Sequence, residues 1–282
     1  MSTVIFWDVL HGHATTVIAP NRRVFVVDLG QGSYGSGITF SPLVYLFKNG
    51  IRRIDHLIIS HPHLDHIDDI LNVKHFEVRA MTKPLYLTRS DIMDGVRDVD
   101  RPKYDYYWWL HQKYVEQIDP RDDATQAANF GGLRVQSFAP RTCARSNINN
   151  HSIVTVFEES AVKVVVPGDN EACSFAKLLK SPDFCQAVAK ADVLLAPHHG
   201  RKAGTYTEFL KLVNPKLCVI SDGRATETNA VSVYSRFARG AHVKRCSGGI
   251  CVRRCLSTRN DGTIQMSFGW GPAGPSLEVE IA

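Results

Sequence analysis

Between Ser60 and His66 the chain reads Ser-His-Pro-His-Leu-Asp-His, and Asp68 and Asp69 follow directly. Imidazole nitrogens and carboxylate oxygens are the common ligands of catalytic divalent cations. A single histidine here would ordinarily be a hydrogen-bonded core residue, but His61, His63, Asp65 and His66 stand within six residues. They cannot all point at one ion, because adjacent Asp65 and His66 project in different directions. His61 and His63 can face one ion while Asp65 and His66 face a second, so the spacing predicts two metals and a metal-dependent chemistry.

What must position them is a strand. The run Leu57-Ile58-Ile59 is too short for a helix and β-branched enough to be buried, which puts the His-rich segment on the loop at that strand's C-terminal end. Loops leaving buried strands are where α/β proteins place their chemistry. Further along, Asn149-Asn150-His151-Ser152 precedes an alternating run at 153–157, and a second run at 162–166 ends in Pro167-Gly168-Asp169. In an antiparallel hairpin the start of the first strand lies beside the end of the second, so His151 and Asp169 reach the same edge. Residues 192–196 predict one more buried strand, ending in Pro197-His198-His199-Gly200.

The pattern His-x-His-x-Asp-His, followed by a separate His, an Asp and a last His, resembles the signature of the metallo-β-lactamase superfamily. The resemblance implies an α/β (α+β) fold, an αββα sandwich of two mixed sheets flanked by helices, with a dinuclear metal site at one edge. By the family pattern His61, His63 and His151 hold the first metal, Asp65, His66 and the last His the second, and Asp169 bridges. His199 is favoured over His198 as that last ligand because it directly precedes the Gly; His198 then faces substrate or supports the ligands. The cofactors implied are two divalent ions, zinc first and manganese as second choice, with a metal-bridged hydroxide as nucleophile and Asp65 orienting it as well as ligating.

The start of the chain narrows the resemblance. Asp8-Val9-Leu10-His11-Gly12-His13-Ala14, with Asp28-Leu29-Gly30 later, is similar to the Asp-Val-Gly-Gln-Gly-Asp-Ala and Asp-x-Gly of the soluble hydrolase domain of ComEC-type competence proteins, which handle incoming DNA. Leu10, His11 and His13 depart from that pattern. His11 and His13 are either substrate-facing or supporting groups near the metals, or exposed turn residues. The Asn-Asn-x-Ser segment, with Asn150 as a substrate contact, also fits this branch. A His-Pro common in the branch is replaced by Thr228-Asn229-Ala230. Asp169 is an oxygen donor where many β-lactamases use Cys, and the short stretch between Asp169 and His198 leaves no room for a large inserted domain. Arg201 and Lys202, directly after the last ligand, offer charge to a polyanion. The reading is a nuclease acting on DNA. Alternatives are a hydrolase of small phosphodiesters or cyclic nucleotides, a lactonase-like esterase, or a metal-bound recognition subunit without turnover.

The remaining features set bounds. With 282 residues, 44% hydrophobic and 22% charged, the chain can bury a sizeable core. Its net charge of +5 allows a phosphate-rich partner without demanding one. No stretch reaches transmembrane length and the first ten residues lack the pattern of a signal peptide, so a cytoplasmic protein without membrane contact is expected. The seven cysteines then read mainly as small buried hydrophobes, and Cys246, Cys251 and Cys255 match no common zinc spacing. One domain over 1–282 is expected, with a variable insert or lid at 72–147. Within it, residues 83–87 suggest a strand. Tyr107, His111, Tyr114 and Ile118 recur at helical spacing, either as a packing helix with a possible homodimer or partner contact, or as an aromatic lid. A helix start is expected at Asp68-Asp69, a capping box at residues 205–208, and a loosely held tail at 269–276.

Overall fold

The structure is a computed structural model describing residues 1–34, 37–115, 117–223 and 230–281. Period-two alternation starts the sandwich: in β1 (Ser2–Phe6), Val4 and Phe6 enter one apolar layer while Ile5 enters another. β2 (Thr15–Ile18) and β3 (Val24–Val27) continue an antiparallel meander. A short pair, β4 (Gly32–Ser33) and β5 (Thr39–Phe40), leads to α1 (Pro42–Lys48), where the Ser41 hydroxyl accepts from the Val44 amide and Pro42 opens the first turn. β6 (Arg53–Ile58) lies parallel to β3 and delivers the His-rich segment, within which α2 (Leu64–Ile67) forms a single turn.

One helical turn therefore begins inside the motif, and a 3-10 helix (Ile70–His75) opens directly after Asp69, where a helix start is expected. The Asp69 side chain, however, serves α1, accepting from the Ser41 hydroxyl at 2.6 Å and the Leu43 amide at 3.1 Å. β7 (Glu77–Thr82) adds a parallel edge beside β6, so the strand precedes residues 83–87, which are not in a strand. After α3 (Arg89–Met93), the aromatic run forms α4 (Arg101–Lys113). It buries Tyr104, Tyr107, Leu110 and His111 against the first sheet, while Ile118 lies beyond its end and is exposed.

The second sheet begins with β8 (Arg134–Phe138), β9 (Val154–Glu159) and β10 (Val162–Val166). β9 and β10 are joined through Ser160 and Ala161, with φ of 51° and 65°, the left-handed pair of a tight hairpin turn. Two helices follow, α5 (Ala172–Leu178) and α6 (Pro182–Val188), the second capped by Ser181. β11 (Val193–Leu195), α7 (Thr207–Val213) and β12 (Leu217–Ile220) give the parallel half of the sheet. α7 starts after Tyr206 with no side-chain cap, so the capping box does not form. α8 (Ala230–Ser235), β13 (Ala241–Arg245), β14 (Ile250–Arg253) and β15 (Cys255–Ser257) come next, and Thr228-Asn229 lies outside the described residues. The expected loose tail is a hairpin, because β16 (Ile264–Gly271) pairs with β17 (Gly274–Ile281) along its whole length.

Two mixed sheets result, ordered β14-β13-β17-β16-β1-β2-β3-β6-β7 and β15-β12-β11-β10-β9-β8. Val4, Phe25, Val27 and Ile58 from the first meet Phe157, Val164, Val166 and Val219 from the second in the central layer. α1 and α4 cover the outer face of the first sheet, and α5, α6, α7 and α8 that of the second, giving an αββα sandwich. Each fully buried large aliphatic or aromatic side chain contributes about 1.5–3 kcal/mol. Of residues 72–147, β7 joins the first sheet and β8 the second. Arg23 ties this segment down, its guanidinium 3.2 Å from buried Asp55, 2.7 Å from buried Asp122 and over the Phe130 ring. Among the described residues, no helix is long and apolar enough to cross a membrane.

Candidate metal centre

The C-terminal ends of β3, β6, β10, β11 and β12 converge on one edge of the sandwich. There the Ile153 amide donates to the Ser60 carbonyl at 2.9 Å, joining the two sheets. Two glycines allow the close approach. A Cβ on Gly12, whose φ is +134°, would stand 2.6 Å from the Asp65 carbonyl, and one on Gly168 would stand 2.8 Å from Cβ of Ser152. His198 and His199 also adopt left-handed φ, 49° and 53°, which turns the chain sharply after β11.

Asp65, His66, Asp169 and His199 form the compact group, with one donor atom of each within 4.8 Å of all the others. His66 Nε2 is 3.2 Å from Asp169 Oδ1, and His199 Nε2 is 3.3 Å from Asp65 Oδ2 and 3.4 Å from Asp169 Oδ2. The other nitrogen of each ring is committed: His66 Nδ1 donates to Asp28 at 2.8 Å, and His199 Nδ1 donates to the Ser221 carbonyl at 3.0 Å. In their neutral tautomers both rings therefore aim a buried Nε2 lone pair at carboxylate oxygens. Such an arrangement demands positive charge at its centre, supplied by protons or by a metal ion. Burial lowers both imidazole pKa values, yet Asp169 and its neighbours overcome this, pushing His199 up to about 10 and His66 well above its ordinary value. Asp65 and Asp169 are held well below the carboxylate range although burial opposes it, chiefly by His66 for Asp65 and His199 for Asp169. The donor set, two imidazoles and two carboxylates, fits a divalent cation.

Asp28 organises the group. Its Oδ2 accepts from the Ser60 hydroxyl at 2.7 Å, His13 Nδ1 at 2.9 Å and His66 Nδ1 at 2.8 Å, and its Oδ1 accepts from the Ser60 amide at 2.7 Å. Its φ of 58° is the left-handed conformation that aims the carboxylate this way. Metal-binding histidines commonly donate to such a carboxylate, which fixes their tautomer. Sequence reasoning quoted Asp28 only as part of a motif, and its left-handed backbone is not visible in residue types.

Other expected site residues are placed as follows. His61 and His63 pair beside His66, with His61 Nε2 3.0 Å from His63 Nδ1 and the His61 and His66 rings 4.2 Å apart. Burial lowers the pKa of both, with His66 next, which favours their neutral, ligand-competent forms. His151 differs: its ring nitrogens lie 3.1 Å from the Tyr86 hydroxyl and 3.2 Å from the Ala144 carbonyl, and among the described residues it forms no compact donor group with His61 and His63. His13 is buried and bonded through both nitrogens, to Asp28 and to Thr15, a positioning residue rather than one that meets substrate. Asn150 is likewise used internally, donating to Glu171 and accepting from the Ser174 amide.

An open cleft of about 510 Å³ leads to the group, lined among others by His11, His63, Asp65, Asp169, His198 and Arg201. His11 Nε2 lies 3.5 Å from Asp65 Oδ2 and 3.3 Å from the Arg201 guanidinium. His198 Nδ1 is 3.1 Å from Glu171, a carboxylate the sequence reading passed over although it stands two residues after Asp169. Lys202 is exposed and does not line the cleft. Of the described residues in 104–118, none lines it; Tyr104 borders a neighbouring hollow that shares His63. Cys246, Cys251 and Cys255 belong to no metal-capable group among the described residues.

Two mixed sheets face to face, helices outside and a His/Asp group at one edge define the class: the fold is of the metallo-β-lactamase type. Particular relatives are more distant, and no family model matches the chain. It is similar to ComE operon protein 3 of Bacillus subtilis, 26% identical over 182 residues, covering 64% of this chain and 21% of that protein. Recombination protein 2 of Haemophilus influenzae is 26% identical over 219 residues, covering 77% of this chain and 24% of that one. The chain thus spans about a quarter or less of the length of these relatives. Among solved structures it is similar to CmlA, a diiron beta-hydroxylase from Streptomyces venezuelae (16% identity, TM-score 0.46, covering 78% of this chain and 44% of that one). A diphosphatase of the PhnP family is 11% identical with a TM-score of 0.43, covering 81% of this chain and 89% of that one.

Proposed function

We propose that the protein is a metal-dependent hydrolase of phosphodiesters, a nuclease acting on DNA, with Asp65, His66, Asp169 and His199 holding metal and His61 and His63 beside them for a second ion. The observation that carries the reading is the pair of buried Nε2 atoms facing two carboxylates at the floor of an open cleft. When bound, divalent cations supply Lewis-acid stabilisation of charge on phosphoryl oxygens and acidify water. Arg201 enters the cleft, where its guanidinium can bind a phosphate fork to fork. His198, 3.1 Å from Glu171 and lining the cleft, would relay a proton to the departing oxygen. Asp28 and His13 keep His66 in one tautomer. DNA as substrate is supported by the relative named Recombination protein 2 and by the resemblance of the N-terminal and Asn-Asn-x-Ser segments to the competence branch. Zinc is favoured by the imidazole share of the donor set, with manganese second.

The test is an assay of the full chain loaded with zinc or manganese on single-stranded DNA, duplex DNA, RNA, a chromogenic phosphodiester and a lactone, with Asp65→Ala and His63→Ala as controls. Cleavage of DNA, reduced at least about 100-fold by Asp65→Ala, is expected. Turnover of the lactone alone, or none with any substrate, would overturn the proposal.

A further inference from the structure

Two cysteines outside the metal group are in contact. Cys143 is buried in the segment before His151, Cys173 is exposed at the second position of α5, and their Sγ atoms are 3.2 Å apart. A disulfide needs about 2.05 Å, a closure that side-chain rotation supplies when the Cβ atoms already face each other. The contact is held by a set of bonds between the same two pieces of chain. Asn147, Asn149 and Asn150 each donate to Glu171, two residues before Cys173, and Lys177 of α5 donates to the Thr142 carbonyl.

We infer that Cys143 and Cys173 are a reversible dithiol site, which a small-molecule disulfide such as oxidised glutathione converts to an intramolecular bond locking residues 143–151 onto α5. The chemistry balances in two exchanges. The Cys173 thiolate attacks one sulfur of the oxidant, releasing the first thiol and leaving a mixed disulfide on Cys173. Cys143, having given up its proton, then attacks Cys173 Sγ and releases the second thiol, so two protein thiols are oxidised and one disulfide is reduced. Exposure assigns the order, because Cys173 meets solvent and Cys143 does not. Burial, with Cys173 beside it, pushes the Cys143 thiol up to about 11, which makes it the slower nucleophile and agrees with Cys173 attacking first. The bond would run parallel to the asparagine–Glu171 contacts and so tighten the wall of the cleft that also carries His198.

The test reads sulfur chemistry rather than turnover, so its outcome is separate from the hydrolase reading. The full chain is equilibrated in buffers of varied reduced-to-oxidised glutathione ratio, alkylated and mapped by peptide mass spectrometry. A cross-linked peptide joining residues 143 and 173, reversed by dithiothreitol, is expected. Cys143→Ser should stop at the glutathione adduct on Cys173, and Cys173→Ser should leave Cys143 reduced. In the oxidised wild type, amide exchange over residues 144–150 should slow several-fold and Tm should rise by about 5 °C or more. Both thiols remaining free at every ratio, cross-links to Cys246 or Cys251 instead, or unchanged exchange in the cross-linked protein would overturn the inference.

Discussion

His66 illustrates how one side chain is made into a ligand. Its Nδ1 hydrogen is fixed on Asp28, so the lone pair on Nε2 has a single direction, toward Asp169. Removing the negative charge of that partner while keeping its shape should weaken metal binding rather than the fold's outline. Asp28→Asn is expected to lower zinc affinity about 10–100-fold in a competitive chelator titration, and an unchanged affinity would remove Asp28 from the account. The His-rich motif and Asp169 were legible because ligand chemistry is written in residue types and spacing. His13 and His151 were less so, since whether an imidazole faces the cleft depends on neighbours far along the chain: Asp28 captures His13, and Tyr86 and Ala144 hold His151 aside. Asp28 and Glu171 act through other side chains and carry no spacing of their own.

At the scale of elements, β6 must stay in register between β3 and β7 for the motif to arrive at the edge. His56 of β6 is buried, its Nε2 2.8 Å from the Thr82 hydroxyl, and burial lowers its pKa to about 4. Unfolded, it titrates near 6.5, so its contribution to stability is fully present above that pH and is lost as pH falls toward 4. That interval corresponds to about 3 kcal/mol. Chemical denaturation at pH 7 and pH 4 should show His56→Leu losing less stability on acidification than the wild type by about this amount; equal losses would contradict it. Arg23 is the matching device for the 72–147 segment. Arg23→Ala leaves buried Asp55 and Asp122 with only their outer arginines and should cost about 3 kcal/mol in urea melts, whereas a cost under about 1 kcal/mol would mark it as a surface pair. β1, β3, β6, β9 and β10 were readable from alternation and β-branched runs. β7 was not, because Glu77 and Arg79 face solvent and resemble a loop, and β17 was hidden by glycines and Pro275 that the pairing tolerates at the hairpin tip.

Over the whole molecule, part of the basic charge behind the net +5 is taken up by acidic partners. Arg23 and Arg53 are engaged with Asp55, and Arg253 with Asp261, so these paired basics are largely structural. Among the described residues, Arg201 is the arginine or lysine that lines the cleft. Binding of single-stranded DNA should therefore depend modestly on salt, and Arg201→Glu should reduce the log–log slope by about 1. Lys202→Glu, outside the cleft, should change it less; identical slopes for wild type and Arg201→Glu would take that residue out of the proposed substrate contact. The sandwich class was legible from the order of strands and helices around a ligand signature. The packing of α4 as a cover for the first sheet, with no described residue of 104–118 lining the cleft, was not, since helical spacing of aromatics serves a core and a lid alike.

The account rests on Asp65, His66, Asp169 and His199 gathering a cation. The most direct measurement is anomalous diffraction at the zinc edge from crystals of zinc-loaded protein. A peak about 2.0–2.2 Å from Nε2 of His66 or His199 and from a carboxylate oxygen of Asp65 or Asp169 is the expected result. Fully zinc-loaded crystals with no peak there, or with the only peak at the cysteines, would contradict it.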